Sequence, residues 1–314
     1  MNEYYARLKQ KNAAPLWEIL DNLFSPEPQT PCLPALWKYS EIRPLLLEAG
    51  TVITPEQATR RVLILENPGL NVPQITQSLY AGLQLILPGE IAPSHRHMAS
   101  ALRFVLESKG AYTAVDGART VMEPGDFVLT PSWTFHDHGN DGDAPAIWID
   151  GLDHIMVNFF DTGFIEKYPE PRQPITRREN EGSIFNYRYS KYRETLETMS
   201  RNGAPDPRHG IKMEYRNPAT GGYPMPTIAA FLQLLPAGFR GGPYRSTDGT
   251  IFCCTEGRGK SRIGGSVFEW EKHDIFVVPS WIPVAHEADV DAVLFSFSDR
   301  PAQQALGFWR EQEL

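Results

Sequence analysis

Cysteine is scarce in this sequence, and its scarcity limits the possible folds. The 314 residues include only Cys32, Cys253 and Cys254, which cannot form a disulfide framework. A disulfide-rich secreted domain is therefore excluded, and a reducing cytoplasm is the expected location. Cys253 and Cys254 are adjacent, so they would face opposite sides of a strand, where both are expected to pack as small apolar residues.

Long apolar runs and an excess of basic residues are absent as well. No stretch reaches membrane-spanning length, and the first residues lack the basic-then-apolar order of a signal peptide. The formal net charge of -8 argues against nucleic acid or an anionic membrane as the main partner. A hydrophobic fraction of 41% and a charged fraction of 22% instead indicate a globular protein with an ample core.

Three histidines are spaced as ligands of a single metal ion. His95 and His97 are separated by one residue in a segment predicted to be a strand, so both side chains face the same side. His136 follows a second strand-like run. Three imidazoles from two strands would leave part of the coordination shell open, as a catalytic metal requires. An isolated histidine is more often structural, but the turn residues around these three favour a metal site.

The turn residues around the histidines form a two-part frame. Gly89 precedes His95 by five intervening residues, and Gly125, with Pro131, precedes His136. This frame resembles the paired motifs of the cupin superfamily, which forms small antiparallel jelly-roll barrels. Cupins usually supply a glutamate shortly after the H-x-H pair, but this sequence reads MASALRF there. The resemblance therefore implies a three-histidine site without a carboxylate.

The frame occurs twice in the chain. Gly238 precedes Tyr244-x-Ser246 by the spacing that separates Gly89 from His95-x-His97, and the segment DIFVVPSW repeats DFVLTPSW. The predicted fold class is thus all-β dominated: a bicupin of two antiparallel jelly-roll barrels with a helical N-terminal extension. The predicted boundaries are an N-terminal helical extension and arm at 1–75, a metal-binding barrel at 76–160, a linker with a helix at 161–222, a degenerate barrel at 223–300 and a tail at 301–314.

The ligand positions are not repeated in the second copy. Tyr244, Ser246 and Val284 stand where the first copy has His95, His97 and His136, whereas His286 matches His138. The second barrel is therefore predicted to be a metal-free structural or interface domain.

Four other local patterns predict secondary structure. Residues 2–24 have helical spacing, and so does the segment Ser190–Met199. Asp116-Gly117 between two strand-like runs predicts a hairpin with a type I′ turn. The segment Arg61–Glu66 is predicted to be a strand, and Asn67-Pro68-Gly69 is predicted to form the turn that ends it.

Longer segments resemble the gentisate 1,2-dioxygenase family, which includes salicylate and 1-hydroxy-2-naphthoate dioxygenases. They are RRVLILENPGL, LYAGLQLILPGEIAPSHRHMASALRFVLE, DFVLTPSWTFHDHGN and PAIWIDGLD. The similarity runs from about Pro34 to Asp153 and returns in the second barrel. Members are bicupins, commonly homotetramers, that use Fe(II) and O2 to cleave an aromatic ring between a carboxylated carbon and the adjacent hydroxylated carbon.

The resemblance implies that His95, His97 and His136 are the iron ligands. Three neutral imidazoles leave the 2+ charge of the metal uncompensated, so a substrate carboxylate and hydroxyl can chelate it and leave a position for O2. Manganese remains an alternative metal, because first-row metals compete for such sites by availability as well as affinity.

Arg103 is the leading candidate for binding the substrate carboxylate. It interrupts an apolar run and shares the parity of His95 and His97, so it is predicted to point into the barrel, where a guanidinium fork suits a carboxylate. A structural ion pair is the competing interpretation. Phe252 replaces Arg103 in the repeat, which favours the functional role.

Further site residues are predicted with alternatives. One of Arg60 and Arg61 is expected to contact the carboxylate, and because adjacent strand residues face opposite ways, only one can point inward. Gln84 is expected to hydrogen-bond the substrate, and Asp150 to orient one of these groups. His138 is either an acid–base group or structural, as His286 in the repeat suggests. Tyr80 and Trp148 are the remaining candidates, and each either flanks the aromatic ring of the substrate or packs in the core. His154 and His209 lie outside any ligand spacing and are expected to be incidental.

The sequence therefore predicts an Fe(II)-dependent, extradiol-type dioxygenase that acts on gentisate or a related ortho-hydroxybenzoate, without deciding which one. Two alternatives remain open. One is a non-catalytic aromatic-acid-binding cupin, such as a sensor or storage protein. The other is a metal-dependent isomerase or decarboxylase.

Overall fold

The computed structural model describes residues 1–178 and 185–314, so residues 179–184 of the predicted linker lie outside the described residues. The helices are α1 Asn2–Gln10, α2 Leu20–Leu23, α3 Tyr39–Val52, α4 Pro55–Ala58, α5 His154–Phe159, α6 Tyr189–Asn202 and α7 Arg300–Ala305, with a 3₁₀ turn at Leu16–Glu18. Within this described part, no helix is both long enough and apolar enough to cross a membrane.

The strands divide into two sets. Those preceding α6 are β1 Ala35–Trp37, β2 Arg61–Ile64, β3 Tyr80–Ile86, β4 Ile91–His97, β5 Ala101–Glu107, β6 Ala111–Val115, β7 Ala118–Val121, β8 Phe127–Thr130, β9 His136–Asn140, β10 Ala146–Leu152, β11 Ile165–Lys167, β12 Arg177–Arg178 and β13 Asn186–Tyr187. Those following it are β14 Ile211–Glu214, β15 Ala229–Leu235, β16 Phe239–Arg240, β17 Tyr244–Ser246, β18 Thr250–Glu256, β19 Arg258–Ile263, β20 Ser266–Glu271, β21 Ile275–Val278, β22 Val284–Ala288, β23 Ala292–Ser298 and β24 Glu311–Glu313.

These strands build two jelly-roll barrels, which confirms the predicted bicupin fold class. The first barrel consists of an inner sheet ordered β13-β8-β5-β10-β3-β2 and an outer sheet ordered β11-β4-β9-β6-β7-β12. The second consists of an inner sheet ordered β1-β21-β18-β23-β15-β14 and an outer sheet ordered β20-β19-β22-β17-β24, with β16 pairing β22. Apart from the short parallel pair β7–β12, neighbouring strands are antiparallel.

The two inner sheets pack against each other and form the main hydrophobic core. Phe104 of β5 stacks on Phe295 of β23 with ring centroids 4.0 Å apart. Alternate residues of the same strands face the barrel interiors instead, as strand geometry requires. Cys253 accordingly lies in the core between the barrels and Cys254 in the interior of the second barrel, which confirms that they face opposite ways.

Each barrel receives a strand from the chain segment that precedes the other barrel. Strand β1 pairs with β21 in the second barrel, while the helix α3 that follows it packs on β2 and β3 of the first. Strand β13 pairs with β8 in the first barrel, while α6 packs on β14 and β15 of the second. The N-terminal arm and the linker are thus equivalent structures, and the repeat extends further than the cupin motifs.

Matching polar contacts anchor the two arms. In the first arm, the backbone N–H of Tyr39 donates to Asp274 at 2.8 Å, and Lys38 pairs with the same carboxylate. In the second arm, the backbone N–H of Tyr189 donates to Asp126 at 3.0 Å, and Arg188 pairs with it. A sequence signal for this equivalence exists in KYSEIR at 38–43 and RYSKYR at 188–193.

Local predictions are confirmed at the hairpin and at α6. Asp116 and Gly117 have φ values of 48° and 75°, as a type I′ turn requires, and Val115 pairs with Ala118 across it. The helix predicted at Ser190–Met199 lies within α6. Residues 2–24 are not one continuous helix, because α1 ends at Gln10, Asn12 has a left-handed backbone with φ 52°, and the next turn begins after Pro15.

Candidate metal centre and active site

The strand pair β4–β9 brings the three histidines together. His95 and His136 are directly opposite in the register, and His97 follows His95 on the same face. The ring centroids of His95 and His136 are 4.4 Å apart, and those of His97 and His136 are 4.9 Å apart. Candidate ligand atoms of all three rings lie within 4.8 Å of one another. The geometry is that of three ligands around one small ion.

Backbone carbonyls fix the orientation of each imidazole. Nδ1 of His95 lies 3.1 Å from the Pro93 carbonyl, Nδ1 of His97 lies 2.7 Å from the Ala99 carbonyl, and Nδ1 of His136 lies 3.0 Å from the carbonyl of residue 134. A carbonyl only accepts hydrogen bonds, so Nδ1 of His97 and Nδ1 of His136 carry the hydrogen and their Nε2 atoms retain a free lone pair. Nδ1 of His95 also lies 2.9 Å from Nη2 of Arg60, which only donates. Three lone pairs on neutral rings are the donor set that a divalent metal requires.

Burial keeps these rings neutral. Burial, and then the neighbouring Arg60 cation, lower the pKa of His95 to about 3. The pKa of His136 lies well below its ordinary value, mainly because of burial and then because of the charge on Arg103. The site therefore does not need to lose protons before it binds a metal at neutral pH.

A cavity of about 260 Å³ opens on one side of the triad. Positive charge dominates its polar wall, since two arginines face it and one aspartate opposes them. Gly82 lies beside this wall, where a Cβ atom would meet Val62 and the Tyr80 hydroxyl within 2.8 Å, so a larger residue would fill the cavity. The lining residues are Arg60, Val62, Tyr80, Gln84, His95, His97, Ala101, Arg103, His136, Asp150, Leu152 and His154.

Arg103 is buried in the barrel and faces the cavity. Its Nη1 donates to Thr130 Oγ1 at 2.7 Å, whereas its Nε has no hydrogen-bond partner among the described residues and lies 3.8 Å from Asp150 Oδ1. Burial lowers its pKa to about 10, so it remains charged at neutral pH. A cation with one distant counter-ion and an unused donor is suited to bind an anion that enters the cavity.

Arg60, and not Arg61, faces the cavity. Nη2 of Arg60 donates to the Pro93 carbonyl at 3.1 Å, and its buried Nη1 has no partner among the described residues. Arg61 points the opposite way, where it pairs with Glu90 at 2.5 Å and donates to a backbone carbonyl. Strand alternation separates the two arginines, and the prediction of Arg61 as a substrate contact is corrected to a structural ion pair.

Trp148 lies beneath the cavity and does not line it. Its Nε1 donates to Asp150 Oδ1 at 2.9 Å, and its side chain is fully buried. Of the two roles considered for Trp148, the structure shows core packing, combined with orientation of Asp150. Burial raises the pKa of Asp150 to about 6, although the charge on Arg103 opposes the rise. Tyr80 and Gln84, in contrast, both lie on the cavity wall.

His138 lies behind the triad and outside the cavity wall. Its ring centroid is 5.7 Å from that of His136 and 5.6 Å from that of Trp148. Neither ring nitrogen has a hydrogen-bond partner among the described residues, and burial holds its pKa well below the ordinary value. Its counterpart His286 instead contacts Ser261 Oγ at 2.8 Å.

His154 is a cavity residue that the sequence reasoning treated as incidental. Its ring packs edge-on against Tyr80 at 5.2 Å, and burial lowers its pKa. The sequence does indicate this position, because Asp150, Leu152 and His154 are spaced two residues apart and so face the same side where β10 leads into α5. With Leu152 and His97, His154 also borders a neighbouring cavity of about 370 Å³, whose other walls are largely apolar.

The second barrel keeps the scaffold of this site without its ligands. Tyr244 pairs with Val284 in the register, as His95 pairs with His136. Trp133 and Trp281 both have left-handed backbones, and their N–H groups donate to the carbonyls of His97 and Ser246 at 2.8 and 2.7 Å. Among the described residues, no second group of histidine, cysteine and carboxylate side chains is spaced to hold a metal.

Comparison with known proteins agrees with this geometry. Residues 82–152 match the family model described as a cupin domain. The chain is 54% identical to gentisate 1,2 dioxygenase 1 of Aquipseudomonas alcaligenes, covering 98% of this chain and 95% of that protein. It is 34% identical to 5-aminosalicylate 1,2-dioxygenase of a Comamonas species, covering 97% and 88%.

A solved structure matches the whole architecture. The crystal structure of salicylate 1,2-dioxygenase from Pseudoaminobacter salicylatoxidans, with gentisate as adduct, superposes with a TM-score of 0.91 at 33% sequence identity. The match covers 99% of this chain and 93% of that one. Both barrels and the arms are therefore shared with a protein known to bind an ortho-hydroxybenzoate.

Proposed function

Because the chain belongs to the gentisate 1,2-dioxygenase family of ring-cleaving oxidoreductases, we propose that it uses Fe(II) and O2 to cleave gentisate or a related ortho-hydroxybenzoate. The proposed bond lies between the carboxylated carbon and the adjacent hydroxylated carbon. The observation that carries the proposal is the pairing of three neutral imidazoles with two inward-facing guanidinium groups around one cavity.

The donor set of the site fits Fe(II). The triad offers three neutral nitrogens, and the cavity contains one carboxylate, Asp150, which is bonded to Trp148 and faces Arg103. The protein therefore leaves the 2+ charge of the ion for the substrate carboxylate and phenol oxygen to neutralise. When bound, Fe(II) supplies open coordination positions and the redox chemistry that allows O2 to react with the ring.

The two arginines bind and orient the substrate carboxylate. Arg103 has an unused Nε and Arg60 an unused Nη1, and both groups are buried at the cavity. Charge-assisted hydrogen bonds from such donors are strong, because no water competes for the acceptor. Holding the carboxylate at two points fixes the ring relative to the triad, which supplies part of the rate acceleration through orientation.

Three further residues complete the proposed substrate site. Gln84 offers an amide to a substrate oxygen, and Tyr80 and His154 form an aromatic wall that contacts the ring. Trp148 and Asp150 position Arg103 from below. The acid–base role of His138 stays a prediction, because its ring reaches the cavity only past His136.

Gentisate is the first substrate to test. The 54% identical relative is named for gentisate, and a 33% identical structure holds gentisate as an adduct. Salicylate and 1-hydroxy-2-naphthoate are the next candidates, since other relatives are named for ring cleavage of such compounds.

Oxygen consumption tests the proposal directly. The protein is loaded with Fe(II) without air, and O2 uptake is recorded with gentisate, salicylate and substituted analogues. With ¹⁸O2, both labelled atoms should appear in the ring-opened product. No uptake with any ortho-hydroxybenzoate would contradict the proposal. Turnover under nitrogen would support an isomerase or decarboxylase, and tight ligand binding by the metal-free protein would support a sensor.

We also propose that the chain forms a homotetramer. Phe159, Phe160, Phe164 and Ile165 form a local apolar surface whose side chains are 59–80% exposed, which favours contact with another subunit. Light scattering measures the mass directly, and any mass other than that of four subunits would contradict this part of the proposal. The cytoplasmic location stays a prediction from the sequence.

A further inference from the structure

The interior of the second barrel is polar at positions equivalent to the substrate site of the first. Strand registers define the equivalence, since Lys212 lies opposite Gln233 as Val62 lies opposite Gln84. In the same way, Ser296 takes the place of Asp150, and His286 takes the place of His138. A barrel whose only role was structural would be expected to fill these positions with apolar side chains.

Several buried polar atoms of this group have no partner. Neither amide atom of Gln233, nor Oγ of Ser296, nor Nε2 of His286 forms a hydrogen bond with any described residue, and all three residues are 0% exposed. Buried polar groups in folded proteins are almost always hydrogen-bonded, so unpartnered ones on three different strands indicate a bound molecule between them.

Lys212 adds an unpaired positive charge to the group. Its Nζ lies 4.5 Å from the ring of Phe231, and it forms no ion pair with any described residue. The nearby carboxylates already have arginine partners, because Arg300 pairs with Asp248 at 3.2 Å and with Glu311 at 3.8 Å. Glu214 likewise pairs with an arginine at 2.9 Å. Lys212 is therefore the cation in this region whose charge remains to be neutralised.

The first barrel shows what such a pattern means in this protein. There, the unpartnered buried atoms at or behind the proposed substrate cavity belong to Arg60, Arg103 and His138, while others, such as Ser94 Oγ and Asp137 Oδ1, lie away from it. The second barrel has one cation where the first has two. It also has Phe231 and Phe252 where the first has Gly82 and Arg103, so the space available is smaller.

We propose that the second barrel binds a small monoanion, of the size of formate or acetate, at Lys212. The ammonium group neutralises the anion, while Gln233, Ser296 and His286 hydrogen-bond its oxygens. Phe231 and Phe252 are larger than the residues at the equivalent positions of the first barrel or carry no charge, so a small anion is favoured over an aromatic acid. The site requires neither iron nor turnover, so it can be tested independently of the proposed function.

Anomalous diffraction with bromide as the probe locates the anion. Crystals of the iron-loaded full-length protein are soaked in sodium bromide and measured at the bromine absorption edge. A peak at hydrogen-bonding distance from Lys212 Nζ is expected. Bromide peaks elsewhere without one at Lys212, or ordered water alone between the three unpartnered side chains, would overturn the proposal.

Thermal unfolding tests binding in solution. Sodium formate is titrated at constant ionic strength, and the wild-type Tm is expected to rise saturably by roughly 2 °C. Lys212→Met should lose this component, whereas the control Lys260→Met, on the outer sheet of the same barrel, should keep it. Formate that binds at the iron site would act equally on all three proteins. An identical response of all three would overturn the proposal.

A Tm measurement without formate shows whether Lys212→Met destabilises the fold itself. In anion-free buffer, Lys212→Met should have a Tm at least as high as the wild type, because it removes an unpaired charge from a half-buried side chain. A lower Tm would mean that a protein group already pairs with Lys212, which would also overturn the proposal.

Discussion

The two barrels share a backbone and differ in the side chains that point inward. Both have a left-handed tryptophan that donates to the carbonyl of an outer-strand residue, and both have a buried histidine on the next strand. The first barrel adds three ligands and an inward arginine, where the second has Tyr244, Ser246, Val284 and Phe252. Within this protein, the metal-ligand candidates and the inward arginine occur in one barrel only, whereas the tryptophan, the histidine and Gln84 have counterparts in the other.

The largest effect is expected when a ligand of the first barrel is replaced by its counterpart. His136→Val introduces the residue found at position 284, so we expect loss of iron and of measurable turnover with an unchanged circular dichroism spectrum. Iron content per subunit and O2 uptake measure both effects. Val284→Ala is the matched control and should keep both iron and activity. Retention of stoichiometric iron by His136→Val would show that the triad is not the metal site.

A smaller effect is expected at the inward arginine. Arg103→Gln should retain iron but lower kcat/KM by about 100-fold, since a buried charge-assisted hydrogen bond contributes about 1.5–3 kcal/mol. Most of the change should appear in KM. Arg61→Gln serves as the control, because Arg61 pairs with Glu90 away from the cavity, and it should leave KM unchanged. If the two variants changed KM equally, the assignment of Arg60 and Arg103 would be wrong.

The equivalence of the arms predicts equal losses of stability. Asp126→Ala and Asp274→Ala each remove the carboxylate that holds an arm cation and an arm backbone N–H. We expect each to lower the free energy of unfolding by about 3 kcal/mol, because each leaves an arm backbone N–H and a half-buried cation without the carboxylate that they share. Urea denaturation measures this loss. A large effect in one variant alone would show that one arm is accessory.

The smallest effect concerns pH and the buried histidine of the second barrel, His286. Burial lowers the pKa of His286 to about 3, so between that value and the ordinary pKa the unfolded chain binds the proton more readily. Stability is therefore lost as the pH falls below about 6.5, and His286 contributes about 2 kcal/mol of the loss between pH 7 and pH 5. His286→Gln should flatten this part of the profile. An unchanged profile would mean that His286 titrates normally.

The sequence predicted the barrels and the triad because both depend on local patterns. Alternation along a strand places His95 beside His97, and turn residues define where strands end, so neither prediction needs knowledge of distant contacts. The same reasoning correctly placed Cys253 and Cys254 on opposite faces. The type I′ hairpin was predictable because few residue pairs tolerate two positive φ values.

The rest depended on tertiary structure. Strand β2 begins at Arg61, so alternation alone could not show whether Arg60 or Arg61 faces inward until the pairing of β2 with β3 was known. His154 was not predicted, because it lies in a helix just after β10, where the alternation of a strand no longer applies. The equivalence of the arms was not predicted, although KYSEIR and RYSKYR are similar, because it depends on the pairing of β1 with β21 and of β13 with β8, which no local pattern shows.

The crossed arms place this chain close to a domain-swapped dimer. Each inner sheet is completed by a strand from the other half, and this strand covers an edge that would otherwise be open to aggregation. If each half were a separate polypeptide, two copies would exchange the same strands between subunits. Neither half is therefore an independent folding unit, and fragments cut between the halves should recover structure only when mixed.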